Sequence, residues 1–211
     1  MLDDDYCTVE TKLRNIDRNF CMNIEKFVIN RNDNFDKHDT MARMKFLKIG
    51  RKIICNYIIE RCGILIQSNS IIIPDFKNEH ELNRWFKENC NNLGLEVFNH
   101  HKRHAKFIIA GKKYDGIDYI CKIADGFGFS SCNDNYYSPP LITYMDDTQK
   151  KIYLKFCDIV KSDFLPIELE YLSSNFIKHG HSDIVSMVIC YKKDKDLAVP
   201  ILELKNTEAN K

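Results

Sequence analysis

The sequence predicts an α/β fold, a central mixed β-sheet flanked by helices with a helical region at the N-terminus. Three observations predict it. Apolar residues recur at spacings of three and four through roughly the first third of the chain. Short apolar runs bounded by turn residues fill the middle and the end. Between these two regimes lies one amphipathic helix with a clear stop.

Val9, Leu13, Ile16, Phe20, Ile24, Phe27 and Val28 carry the first helical pattern, and the polar stretch 30–36 interrupts it. A second pattern runs through Met41, Met44, Leu47, Ile54, Tyr57 and Ile58, with Gly63 as its expected C-terminal stop. Short strands are expected near 64–66 and 71–73, on either side of Gln67-Ser68-Asn69-Ser70. A helix over about 79–92 presents Leu82, Trp85 and Phe86 on one face, and Gly94 closes it. Strands follow at about 95–99, 105–110 and 117–123, with Gly111-Lys112-Lys113 and Asp115-Gly116 as turn material. The Gly, Ser, Asn and Pro cluster from Asp125 to Pro140 is the longest expected loop, and 141–145 is a further strand candidate. Residues 148–161 fit strand and helix equally. Ser162 or Asp163 is suited to cap a helix with Pro166 in its first turn, running to Lys178 and stopping at Gly180. Two apolar strands, about 183–191 and 198–205, read as a hairpin joined by Lys192-Lys193-Asp194-Lys195-Asp196. The expected division is a helical region 1–63 and a mixed α/β core 64–211, together forming one compact unit.

Composition excludes several classes. The chain has 211 residues, is 44% hydrophobic and carries 13 Phe and 10 Tyr, enough apolar mass for a core. Net charge is +1, so any nucleic-acid affinity must come from a local basic patch. The nine cysteines include no C-x-x-C pair, which argues against a zinc ribbon or disulfide framework and for reduced thiols. The acidic start Met1-Leu2-Asp3-Asp4-Asp5 is unlike a secretory leader, and no apolar run reaches transmembrane length. An intracellular protein, cytoplasmic or nuclear, is expected, with no membrane partner. No P-loop, G-x-G-x-x-G or G-x-S-x-G string occurs, so those nucleotide-binding and esterase chemistries lack support.

Charged residues on the C-terminal hairpin point to chemistry. A hairpin turning near Asp194 sets Asp183 opposite Lys205, and strand alternation puts Glu203 and Lys205 on one face. Two carboxylates beside an ammonium suit a hard divalent cation that keeps some of its water. Such an ion activates water and polarises a phosphodiester, while the lysine stabilises developing charge. The strings HSDIV and ILELK resemble the PD-(D/E)XK nuclease superfamily over about the last 40 residues. The resemblance implies a restriction-endonuclease-like fold and a nuclease that hydrolyses DNA or RNA with Mg²⁺ or Mn²⁺. It gives Asp183 and Glu203 the metal and Lys205 the attacking water. The helix ahead of the hairpin often adds a carboxylate in that superfamily, and Glu168 and Glu170 qualify by position. On a helix, residues two apart diverge, so at most one of them faces the ion. Lys37-His38-Asp39 is similar to the His-Asp pair of viral cap-snatching endonucleases, which implies His38 as a further ligand.

His100, His101, Lys102, Arg103, His104 and Lys106 form the densest basic stretch, suited to phosphate contact or to a solvated loop. Asp115, Asp118 and Asp125 form a rival carboxylate cluster near expected strand ends. The alternative function is a protein-interaction module, either a nuclease-like domain without activity or an unrelated α/β protein.

Overall fold

A computed structural model describes residues 2–29, 40–100, 108–109, 112–113, 116–124, 147, 164–179 and 184–205. Those up to Tyr57 belong to one compact unit. Those from Ile58 to Ala124, and from Phe164 onward, belong to a second.

The first unit contains helix α1 (Leu2–Ile29) and the start of helix α2 (Thr40–Gln67). Phe20 stacks on Tyr57 with ring centroids 4.2 Å apart, and the Tyr57 hydroxyl donates to Asp17 at 2.7 Å. This staple joins the two helical patterns through the apolar positions that defined them.

The end of α2 enters the second unit, where Ile58, Cys62 and Ile66 are buried at successive i+4 positions. The helix continues through Gly63 to Gln67, so Gly63 is not its stop and 64–66 is not a strand. A Cβ at Gly63 would meet nothing within 4 Å, which leaves only the intrinsic cost of glycine, about 1 kcal/mol, against an apolar stripe that extends past it. Residues 71–73 also form no strand. Helix α3 (Glu79–Asn89) starts where the Asn78 side chain accepts from the Glu81 amide at 3.1 Å. It ends through a 3-10 turn (Cys90–Leu93) at Gly94, whose φ of 74° suits glycine.

Five strands build the sheet: β1 (Leu95–His100), β4 (Tyr119–Ile123), β5 (Leu165–Leu172), β6 (Met187–Lys192) and β7 (Ile201–Glu203), in the order β1-β4-β5-β6-β7. Two further short strands, β2 (Ile108–Ile109) and β3 (Lys112–Lys113), pair only with each other. β1, β4 and β5 are antiparallel neighbours, whereas β5, β6 and β7 run parallel. The sheet is thus open and mixed, and the α/β expectation holds at that level. One face packs on α3: Phe86 lies 4.8 Å from the Tyr119 ring, and the Tyr119 hydroxyl donates to Asn83 at 2.7 Å. The other face carries Ile120, Val188 and Cys190 beneath Phe176 and Val185.

Two further expectations are corrected. Residues 165–172 are the central strand β5, and only 173–178 coil, as a 3-10 helix. Pro166 lies opposite Ile120 as the second residue of that strand, not in a helical first turn. The C-terminal pair is parallel, Val188 opposite Ile201 and Cys190 opposite Glu203, so residues 193–200 are a crossover and not a hairpin turn. Ser173 anchors that crossover, accepting from the Asp194 and Lys195 amides at 3.2 and 3.0 Å while its hydroxyl lies 2.7 Å from the Lys195 carbonyl. Residues 101–107, 114–115, 125–146 and 148–163 lie outside the described ones, along with the strands, loop and turn expected there. Among the described residues no helix is long and apolar enough to cross a membrane.

Candidate metal centre

The central strand carries the chemistry. Ile167, Leu169 and Tyr171 alternate with Glu168 and Glu170, so both carboxylates project from one face of β5. The sequence-based expectation that they diverge is therefore overturned, because a period of two aligns residues that a helix would separate. Both side chains are only 1% exposed. Strands flank β5 on either side, and this is where ionisable groups are rarest.

Three elements bring partners to them. The β4–β5 register places Asp118, just before β4, opposite Glu168. Asp118 accepts the Leu169 amide at 3.0 Å, which holds its carboxylate beside Glu168. The 3-10 helix after β5 delivers His179, whose Nδ1 lies 3.0 Å from Glu170 Oε1 and 3.6 Å from Glu168 Oε2. The N-terminus of α3 adds Glu79, exposed yet close enough to raise the Glu170 carboxyl. That helix end also favours an anion through its dipole.

Charge is poorly compensated here. Burial pushes Glu168 up to about 9, helped by the Asp118 charge, a shared hydrogen bond with Asp118 and the Glu170 charge. Burial also lifts Glu170 to about 8, reinforced by Glu79 and Asp118 and opposed by Lys178. Glu79 is raised by burial and by Asp118, with His179 acting against it. His179 is within ion-pair distance, yet among the described residues neither Glu170 oxygen finds a hydrogen-bond donor, and Glu168 Oε1 lacks a partner as well. Leaving a buried acceptor unpaired costs about 1–3 kcal/mol, more when it is charged. Three such atoms in one place need a cation or protons.

The spacing suits a cation. One donor atom each from Glu168, Glu170 and His179 lies within 4.8 Å of the others. An octahedral ion with ligands at about 2.1 Å holds neighbouring donors about 3 Å apart and opposite ones about 4 Å apart. The donor atoms therefore lie within about 1 Å of that range.

The site expected at the C-terminus is placed differently. Asp183 lies outside the described residues, as do His38 and the basic stretch with His101, Lys102, Arg103, His104 and Lys106. Glu203 accepts the Lys193 amide at 2.9 Å and so caps the crossover. Lys205 sits 4.0 Å from Asp75 and 5.2 Å from the centre of the Tyr191 ring. The register sets Glu203 two strands from Glu170, with Cys190 between them, about 10 Å away at the backbone. Glu168 and Glu170, each offered as an alternative ligand, instead come together. Asp118 comes from the rival cluster, whereas Asp115 and Asp125 lie outside the described residues. His179 and Glu79 escaped sequence reading, since neither stands in a spacing that signals chemistry. The alternation of Ile167-Glu168-Leu169-Glu170-Tyr171 was the signal that could have found the centre.

Comparison with protein-family models, with curated proteins and with solved structures found no match to this chain.

Proposed function

We propose that this protein is a nuclease that hydrolyses phosphodiester bonds of nucleic acid with Mg²⁺ or Mn²⁺ held by Asp118, Glu168 and Glu170. The observation that carries this is the pair of buried carboxylates on one face of β5, three of whose four oxygens have no hydrogen-bond partner among the described residues, with Asp118 beside Glu168. Keeping both groups ionised in the core needs a cation to balance them; without one they hold protons. When bound, the cation supplies Lewis acidity and an activated water. Asp118, fixed by the Leu169 amide, and Glu168 orient the ion. Glu79, at the exposed rim, is placed to accept a proton from water, its affinity raised for that purpose. Lys178 is the nearby positive group for charge building on a phosphate.

The order of elements supports a restriction-endonuclease-like core: α3, an antiparallel β1-β4-β5 meander, then the parallel β6. The superfamily motif then falls on Asp118 opening β4 and Glu168-x-Glu170 on β5, in place of Asp183, Glu203 and Lys205. Glu170 stands where that motif has lysine. Polarisation of the water therefore falls to the cation and its neighbours, not to a motif lysine. His101, Lys102, Arg103, His104 and Lys106 retain the proposed role of phosphate contacts. The rival is a nuclease-like interaction module without activity.

The test is cleavage of labelled single- and double-stranded DNA and RNA in Mg²⁺ or Mn²⁺, by wild type, Asp118→Asn, Glu168→Gln and Asp183→Ala. Loss of cleavage in the first two variants, with Asp183→Ala active, is expected. Cleavage that survives Asp118→Asn and dies with Asp183→Ala returns the site to the C-terminal strands. A wild type that cuts nothing and binds no divalent ion favours the interaction module.

A further inference from the structure

We infer that His179 is a direct ligand in this centre and makes it select Mn²⁺ over Mg²⁺. This rests on the nuclease reading only in assuming that a divalent ion occupies the site. A cluster of acids alone would not justify it. The second observation is the state of the buried oxygens: Glu168 Oε1 and both Glu170 oxygens, on side chains 1% exposed, have no hydrogen-bond partner among the described residues. They are grouped with an imidazole nitrogen that is near but misaligned, 3.0 and 3.6 Å from the two carboxylates.

A structural role for His179 would be to hydrogen-bond a carboxylate. Among the described residues neither Glu170 oxygen is hydrogen-bonded, although Nδ1 is only 3.0 Å away. An ion between them resolves both facts, since nitrogen and oxygens then share one centre instead of each other's protons. The donor set then gains one imidazole beside the carboxylates. Mg²⁺ favours oxygen donors and sheds water reluctantly, so nitrogen adds little to its binding. Imidazole suits transition ions, and Mn²⁺ also accepts carboxylates readily. Half of the His179 side chain is exposed, and its 3-10 helix is anchored by buried Phe176 and by the His179 amide bonding the Phe176 carbonyl. The backbone at His179 is thus anchored while the side chain stays partly open to solvent.

The experiment is calorimetric titration of the chelator-treated full chain with MnCl₂ and with MgCl₂, for wild type, His179→Ala and Glu168→Gln. Electron spin-echo measurement of bound Mn²⁺ accompanies it, and circular dichroism verifies folding. Removing even an outer-shell partner costs a metal site roughly 10–100-fold in affinity, so losing a ligand should cost Mn²⁺ at least about tenfold. Mg²⁺ affinity should change far less, and the spin-echo trace of wild type should show nitrogen modulation that His179→Ala abolishes. Tight Mn²⁺ binding lost in Glu168→Gln but unchanged in His179→Ala, with no nitrogen signal, overturns the role of His179 and leaves the carboxylate site standing. No binding of either ion by wild type overturns both.

Discussion

Replacing Glu168 by Gln should stabilise the metal-free protein at neutral and alkaline pH while destroying its response to metal. The sign follows from proton counting. The ordinary carboxyl value is 4.5, whereas Glu168 is raised to about 9 and Glu170 to about 8 in the folded chain. Between these limits the folded state keeps protons that the unfolded state has released. The stabilisation is therefore complete below pH 4.5 and is lost as pH climbs toward 8 and 9. Each such group tilts stability by about 1.36 kcal/mol per pH unit, so the pair gives at most about 2.7 kcal/mol per unit. Glutamine removes one contribution and roughly halves the slope. From pH 5 to pH 7.5 the gap between variant and wild type should open by up to about 3 kcal/mol. For a chain of this length that corresponds to roughly 6–12 °C in Tm. The assay is urea unfolding in chelator at half-unit pH steps, with wild type and variant in parallel so that other titrating groups cancel. Equal slopes, or a variant less stable than wild type at pH 7.5, would refute the claim that Glu168 is a buried, proton-holding carboxyl.

Other expectations follow from the same geometry. Mn²⁺ binding at pH 7 should release between one and two protons, because the ion displaces those held by Glu168 and Glu170; calorimetry in buffers of different ionisation enthalpy measures the number. Lys205→Ala should leave Mn²⁺ affinity within about twofold and shift stability by less than about 1 kcal/mol, since its carboxylate neighbour is Asp75 at an exposed position; titration and melting decide this. Ser173→Ala should cost about 2 kcal/mol in denaturant unfolding, because the Asp194 and Lys195 amides lose their acceptor. Phe86→Ala should cost about 3–5 kcal/mol, since its ring is fully buried against Tyr119.

Local chemistry made several elements legible. The apolar face with Leu82, Trp85 and Phe86 and the stop at Gly94 define α3 within a few residues, so the sequence alone placed it. The 119–123 strand and the long helical patterns were legible for the same reason, each carried by neighbours in sequence. Where two local signals competed, the wrong one prevailed. Pro166 and the capping residues before it suggested a helix, yet Ile167, Leu169 and Tyr171 alternate with the glutamates. Burial on both faces of a central strand decided for β.

The direction of β7 was equally undecided. A charged eight-residue connection suits a hairpin, and only pairing of Val188 with Ile201 makes it a parallel crossover. The metal centre lies further still from local rules. Asp118 meets Glu168 across fifty positions, and Glu79 and His179 arrive from a helix N-terminus and a 3-10 turn. The sequence determined that the chain is α/β and that carboxylates lie near its strands. Only tertiary structure decided which carboxylates share a face, because strand pairing is set by burial of the whole sheet and not by any window of residues.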